Sequence, residues 1–410
     1  MNGPQSNLEC ASQYEYLEPV DGGETCLPQS NVRLLILCAG DPEGERTFSG
    51  SARSLFGALE RLECVHHKGN VTAGLTDSFS RGGRMIRLAR RLDYLHIEPR
   101  YRWSRLALDA NSRRGNRIAA AHPGFNACLM YGTNFDPRIG VPTYCYLDAT
   151  VAQVARARIW AYRHFSARQL RGILEYQRRL FEHCAGVFPR TQWVAESLRD
   201  DFGVPPEKIR LAGAGPNHYA DPFPHGPYDR RMILIVGTQW ELKGGPLIVD
   251  AFRRVRREMP DAKLVVVGCN PEVNEPGVEI VGRISKDAPG GLERLLRLFS
   301  EASAFCIMSS FESFGIVVVE AQNCYVPPVV PARFAFTETV VDGATGRHAA
   351  EYDPDLLAKI FLELLSDPER LERMGRAGHE HVHANYTWDV AAMRIVDRIG
   401  ADLAGAADGR

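Results

Sequence analysis

Glu312 and Glu320 stand eight positions apart, just beyond the point where the apolar run 304–308 breaks at Ser309-Ser310. The stretch from Ser309 to Ala321 reads as strand, turn and then helix, with Gly315 in the turn. A helix start leaves its first backbone N–H groups without intrahelical partners, so the amides near Phe314, Gly315 and Ile316 form an anion site beyond the strand's carboxyl end. Phosphate is the natural guest there. Glu320 falls about 7 Å along the axis from Gly315 while Glu312 lies in the turn, so two carboxylates can grip hydroxyl groups on either side of a diphosphate. Lys243, in a Lys-Gly-Gly turn after the apolar run 232–237, offers an ammonium to the same site, and charge pairing in a water-poor cleft is stronger than in solvent.

These residues need a scaffold that brings several strand ends to one edge. A chain of 410 residues with 45% apolar side chains can bury two cores. From residue 32 onward, strand-like apolar runs at 32–38, 126–131 and 144–147 alternate with helical segments at 50–62 and 155–184, and a second series starts at Met232. Such alternation argues parallel sheets with helices on both faces. The stretch from Pro216 to Pro227 is dense in Pro and Gly and suits a linker. The expected division is an acidic tail at 1–30, a first Rossmann-like domain at 31–215, a linker at 216–230, a second such domain at 231–388 and a closing helix at 389–410. Ala39-Gly40-Asp41-Pro42-Glu43-Gly44 lacks the G-x-G-x-x-G spacing, which removes the main support for hydride transfer.

Residues 1–30 carry five acids and no Lys or Arg, residues 31–215 carry 28 bases and 17 acids, and the remainder 21 and 28. The basic excess concentrates between Arg81 and Arg117, where Met85, Ile86, Leu88, Leu92 and Leu95 recur at helical spacing. A basic amphipathic helix can lie on an anionic membrane, and it can equally be a solvated face with snorkelling arginines. The tail lacks the basic start and apolar core of a signal peptide, and no run of about eighteen apolar residues occurs, so a soluble cytoplasmic protein is expected. Ten cysteines without a C-x-x-C pair read as buried reduced thiols.

Met232-Ile233-Leu234-Ile235-Val236-Gly237 with Lys243-Gly244-Gly245, then Ala262-Lys263-Leu264-Val265-Val266-Val267-Gly268, Val281-Gly282-Arg283-Ile284, the Glu312/Glu320 element, Asp342-Gly343-Ala344-Thr345-Gly346 and Tyr386-Thr387-Trp388 follow one another over about residues 230 to 390. In kind and order they resemble the landmarks of the retaining nucleotide-sugar glycosyltransferases of family 4. The resemblance implies a GT-B fold, two Rossmann-like domains facing a cleft, with the carboxyl-terminal domain holding the nucleotide sugar, the amino-terminal domain presenting the acceptor, and the last helix crossing back. It implies transfer of a hexose to an acceptor hydroxyl with retention, in cell-envelope polysaccharide or glycolipid assembly.

By the same resemblance, Glu312 contacts the transferred sugar, Glu320 the ribose hydroxyls and Lys243 the diphosphate, while the backbone at Ile284 meets the base. Gly50, in Thr47-Phe48-Ser49-Gly50-Ser51, matches a glycine that approaches the phosphates from across the cleft. Thr238 stands where the family commonly has a second phosphate-binding arginine, so either Arg283, the amides of Phe314 to Ile316 or another basic group compensates, or phosphate binding is weaker. Leu147 replaces a frequent histidine, and its neighbour Asp148 can hold the acceptor hydroxyl, act as a base, or cap the following helix. Trp240 is a pocket wall or a core aromatic, and His122 an acceptor contact or a loop histidine. Residues 324–336 depart from the family's Cys-Gly-Thr-Pro-Val-Val and Gly-Gly loops.

The donor is expected to be a nucleotide sugar of the UDP or GDP type, with no cofactor. No metal is expected, because no Asp-x-Asp cluster accompanies the site and cations with amides can take the diphosphate's charge. A glycan or lipid-linked acceptor, anionic to suit the basic first domain, is expected, with no nucleic acid and with peripheral contact to an anionic membrane. A sugar epimerase or phosphorylase of the same fold, and a non-catalytic nucleotide-sugar-binding module, are the alternatives.

Overall fold

The computed structural model describes residues 31–45, 47–72, 97–217 and 223–408. The acidic tail and the positions Met85 to Leu95 of the arginine-rich stretch lie outside the described residues.

Two all-parallel sheets organise the chain. The first holds β1 (Leu34–Cys38), β2 (Val65–Asn70), β3 (Ala127–Tyr131), β4 (Thr143–Leu147) and β5 (Gly186–Pro189) in the order β2-β1-β3-β4-β5. The second holds β6 (Met232–Val236), β7 (Lys263–Val267), β8 (Val278–Gly282), β9 (Ala304–Cys306), β10 (Pro328–Pro331) and β11 (Arg347–Ala349) in the order β11-β10-β9-β6-β7-β8. Every residue of β1, β3, β5, β9 and β10 is buried, as expected of parallel strands covered by helices on both faces.

Strand order decides where a ligand can sit. In each sheet the chain runs one way from its first strand and then reverses, so the loops leaving β1 and β3 part from each other, as do those leaving β6 and β9. Such switch points open a crevice beyond the strands' carboxyl ends. Lys243 lies on the loop after β6 and Glu312 on the loop after β9.

The helical reading at 155–184 needs correction. The structure there has a helix Val151–Arg156, a 3-10 turn Trp160–His164 and a helix Ala167–His183. Arg158 takes a left-handed φ of 50°, and Ser166 restarts the helix through a capping box with Gln169.

The halves are joined by more than the linker. Helix Trp388–Asp408 packs on helix Ser51–Arg61, with Arg61 paired to Asp389 at 2.6 Å. Phe314 and Val319 from the second half belong to the hydrophobic cluster around β1 and β3. The eight described cysteines are free thiols, Cys269 half-buried and the rest buried.

Candidate active site

Lys243 is fixed by its loop before any ligand is considered. Its N–H donates to Gln239 O (2.9 Å), its carbonyl accepts from Met308 N (2.9 Å), and Leu242 O accepts from Ser310 N (2.9 Å), so the β6 loop is laced to the segment after β9. Gly237 leaves room for the side chain, since a Cβ there would lie 2.9 Å from Lys243 Cγ. Gly244 (φ 74°) admits the same close approach, its Cβ position being 2.4 Å from Met308 O. The ammonium that results lies 2.5 Å from Glu312 Oε2, with the two side chains 18% and 16% exposed. Trp240 packs over Gly245, where a Cβ would meet its ring at 2.2 Å, so of its two readings the structure favours the core aromatic. Thr238 is exposed in the same turn.

Gly315 adopts φ 82°, ψ 48° and starts helix Ile316–Asn323, whose N-cap has no side-chain hydrogen bond among the described residues. Val318 N and Val319 N donate back to Gly315 O, which leaves the amides of Ile316 and Val317 facing out of the helix start. Phe314 is 1% exposed and meets Tyr386 edge-on at 5.8 Å, so its side chain is core and only its backbone is available to a ligand.

Glu320 is buried within that helix, and one oxygen, Oε1, accepts from Lys286 Nζ (2.5 Å) and Asn217 N (3.1 Å). Lys286 was missed by sequence reasoning. It lies in the loop after β8, four positions beyond Gly282, and its partner is 34 positions away, so no local pattern exposes it. Arg283, one of the expected compensating cations, is exposed, whereas the carboxylate in this site is matched by Lys286. Ile284 is half-buried, its side chain against the second core.

The first half supplies the opposite wall. Phe48 (φ 49°), Ser49 (φ 58°) and Gly50 (φ 88°) are successive left-handed residues, a conformation costly for the first two and natural for the third. Asn217 straps this turn to the second half: its Nδ2 donates to Ser49 O (2.7 Å) while its N–H reaches Glu320. Glu45 accepts from Lys286 N at 3.3 Å, so the β1 loop and the β8 loop meet beside Glu320.

Beyond Glu312 a cavity of about 620 Å³ opens at the β1/β3 switch point. It is lined mainly by the first half, including Asp148, with Phe311 and Ser313 from the second. Burial pushes the Asp148 carboxyl up to about 6, opposed by the backbone amides of Asp148 and Ala149 and aided by the charge of Glu312. The capping reading of Asp148 is overturned: Thr150 caps helix Val151–Arg156, accepting from Gln153 N at 3.2 Å in a capping box. His122 is not among the residues lining this cavity and stacks on His67 at 3.5 Å.

A second cation missed in the sequence is Arg190, directly after β5. It is 3% exposed, donates to Tyr131 Oη, and has its guanidinium 5.6, 5.3 and 5.9 Å from the ring centroids of Tyr131, Tyr146 and Trp388. Burial lowers it to about 9 against the pull of Glu312, which leaves it charged at neutral pH. Its Nε has no partner among the described residues. Among these residues no group of three His, Cys, Asp or Glu is placed to hold a metal ion, and no helix is long and apolar enough to cross a membrane.

Two parallel-sheet α/β domains with their switch points turned to one cleft define a protein of the GT-B fold. Sucrose-phosphate synthase from Thermosynechococcus elongatus superposes with a TM-score of 0.66 at 17% identity, over 91% of this chain and 100% of that one, a likeness of fold. Residues 220–381 match the family model of the glycosyl transferases group 1. In sequence the chain is similar to an MMP α-(1→4)-mannosyltransferase of Mycolicibacterium hassiacum, 27% identical over 303 residues, 70% of this chain and 73% of the relative. It is also similar to a D-inositol 3-phosphate glycosyltransferase of Segniliparus rotundus, 28% identical over 189 residues, 43% of this chain and 41% of the relative.

Proposed function

We propose that the protein is a retaining glycosyltransferase that moves a hexose from a nucleoside-diphosphate sugar, of the UDP or GDP type, to an acceptor hydroxyl without a metal ion. The observation that carries this reading is the pair of ammonium–carboxylate contacts, Lys243–Glu312 and Lys286–Glu320, on either side of the uncapped helix start at Gly315. Both the group 1 match and the sequence relatives support a glycosyl transfer reaction.

Breaking the anomeric bond to a diphosphate needs charge stabilisation on the departing oxygens. Lys243, Lys286 and the amides of Ile316 and Val317 supply it from fixed positions. The ribose hydroxyls donate to Glu320, replacing part of what Asn217 and Lys286 give it, and Glu312 takes a hydroxyl of the hexose. The acceptor hydroxyl enters from the cavity at Asp148, and its proton passes to Asp148 or to the leaving phosphate oxygen on the same face. The setting we propose is assembly of a cell-envelope glycolipid or polysaccharide, and its support is that other sequence relatives are phosphatidylinositol monomannoside mannosyltransferases.

The test is a thermal-shift panel of nucleotide sugars on the wild type and Glu320→Ala. At about a hundredfold excess over Kd the true donor stabilises the wild type by roughly 3 kcal/mol and the variant far less. No shift with any UDP, GDP, ADP or dTDP sugar, or an equal shift in both proteins, counts against the reading. Retention is read from the anomeric coupling of the product by NMR.

A further inference from the structure

The cavity at the β1/β3 switch point has walls whose chemistry identifies the class of molecule it takes. Its rings are tied down: Trp103 Nε1 donates to Tyr162 Oη (3.0 Å), Tyr146 Oη donates to Gly213 O (2.8 Å), and Tyr131 Oη accepts from Arg190. Thr133 and Thr150 are likewise engaged, with Gln177 and Ser197. Asn111, on helix Arg105–Ala121, differs. It is 2% exposed, its Nδ2 donates to Asn134 O (3.2 Å), and its Oδ1 has no partner among the described residues. A buried carbonyl oxygen left without a donor costs about 1–3 kcal/mol, so it is a standing demand for an N–H or O–H.

Asp148 adds acceptor capacity on the other side: its carboxylate already takes the backbone amides of Asp148 and Ala149, and its remaining lone pairs only accept. Among the described lining residues Arg102 and Asp148 are the only base and the only carboxylic acid, and Arg102 is exposed. An ionised phosphate brings acceptors and negative charge to a place that offers acceptors and a carboxylate. A sugar hydroxyl brings a donor, and the apolar C–H face of its ring suits the face of an aromatic side chain.

Resting on the glycosyltransferase reading, we infer that this cavity binds the acceptor as a neutral sugar ring, stacked on Trp103 and Tyr162, with Asn111 Oδ1 and Asp148 accepting its hydroxyl protons. An anionic acceptor, which the basic charge of the first domain led one to expect, therefore carries its charge away from the ring that reacts.

Saturation-transfer NMR on the full chain tests this with two probe sets, neutral methyl α-hexopyranosides with their disaccharides, and hexose 6-phosphates, at about 50 mM and about 500 mM salt. Saturation is expected on the neutral probes at both salt concentrations. Trp103→Ala and Asn111→Leu should each weaken it by about tenfold or more, while both variants keep the wild-type thermal shift with nucleotide sugar, which shows them folded. Saturation confined to the phosphates, none on any neutral probe, or neutral binding unchanged in both variants overturns the inference. If the neutral probes bind as expected while no nucleotide sugar shifts the melting of the wild type, the transfer reaction fails as a reading and the sugar class of the cavity stands.

Discussion

Lys286 Nζ and Glu320 Oε1 lie 2.5 Å apart, in a pair whose carboxylate side chain is only 5% exposed and whose ammonium is 26% exposed. Glu320 is flanked by buried Val318, Val319 and Ala321, so without Lys286 a charge would stand in an apolar setting with the Asn217 amide as its remaining named partner. Breaking such a pair by removing one member costs more than the pair itself contributes. Lys286→Met is therefore expected to lower stability by about 1–3 kcal/mol in the absence of ligand. Nucleotide-sugar affinity should fall about tenfold, the loss of one charge-assisted contact to the diphosphate. Denaturant unfolding and thermal shifts measure the two effects, and a variant with unchanged donor affinity would show that the lysine serves only the resting protein.

Lys243 makes the contrasting case, because its partner Glu312 is 16% exposed and reaches solvent when the ammonium is removed. Lys243→Ala should cost about 1 kcal/mol or less in stability. Its effect falls on the reaction, with kcat reduced about 10²–10³-fold as expected for a lost group aimed at developing charge. Initial rates at saturating donor decide this. A rise in donor KM with kcat intact would place Lys243 in ground-state binding alone.

The half-buried Asp148 carboxyl is pushed up from its ordinary 3.8 to about 6, chiefly by desolvation. As a proton acceptor it must be ionised, so log kcat/KM should climb with pH and level off above about 6. Asp148→Asn should abolish that limb along with most of the activity. For stability the sign is opposite. A raised value means that ionisation is costlier in the folded protein, a cost absent below 3.8 and complete above about 6. The asparagine variant should accordingly gain on the order of 1–3 kcal/mol at pH 7 and nothing at pH 3.5 or below. Unfolding curves at both pH values check it.

Sequence and structure agree where one physical signal dominates. β1, β3 and β6 are continuous apolar runs, β7 is one after its exposed leading Lys263, and each folds as a largely buried parallel strand. Gly315 and Lys243 were legible because a strand–turn–helix junction and a Lys-Gly-Gly turn are local features. Lys286 and Arg190 were not, since the carboxylate and aromatic rings that give them meaning are remote in the chain and brought near only by the strand order. The helix break near Arg158 and the cap at Thr150 were legible in principle: Ser166 with Gln169, and Thr150 with Gln153, carry the capping-box spacing.

Glu338 ties the two halves together. Its Oε2 accepts from Gln192 N (2.7 Å) and its Oε1 from Trp193 N (2.9 Å), so a carboxylate of the second half closes the first turn of helix Gln192–Phe202 in the first. Trp193 then meets Phe311 and Phe334 edge-on, each at 5.7 Å, and Phe311 lines the cavity beside Glu312. Glu338→Ala removes the acceptor for two helix-start amides and should destabilise the protein by about 1–2 kcal/mol. Glu338→Gln keeps one amide satisfied and should cost less. Burial raises the Glu338 carboxyl, with the Trp193 and Gln192 amides opposing and Glu196 adding to the rise. Ionisation therefore works against the fold, and the stability of the wild type relative to Glu338→Gln should decline as pH rises through that raised value. Because Trp193 hands the contact on to Phe311, both variants should also raise the KM values for donor and acceptor together, which steady-state kinetics can separate from an effect on kcat. An effect on stability without any change in KM would mean that the two halves hold the cleft without this contact.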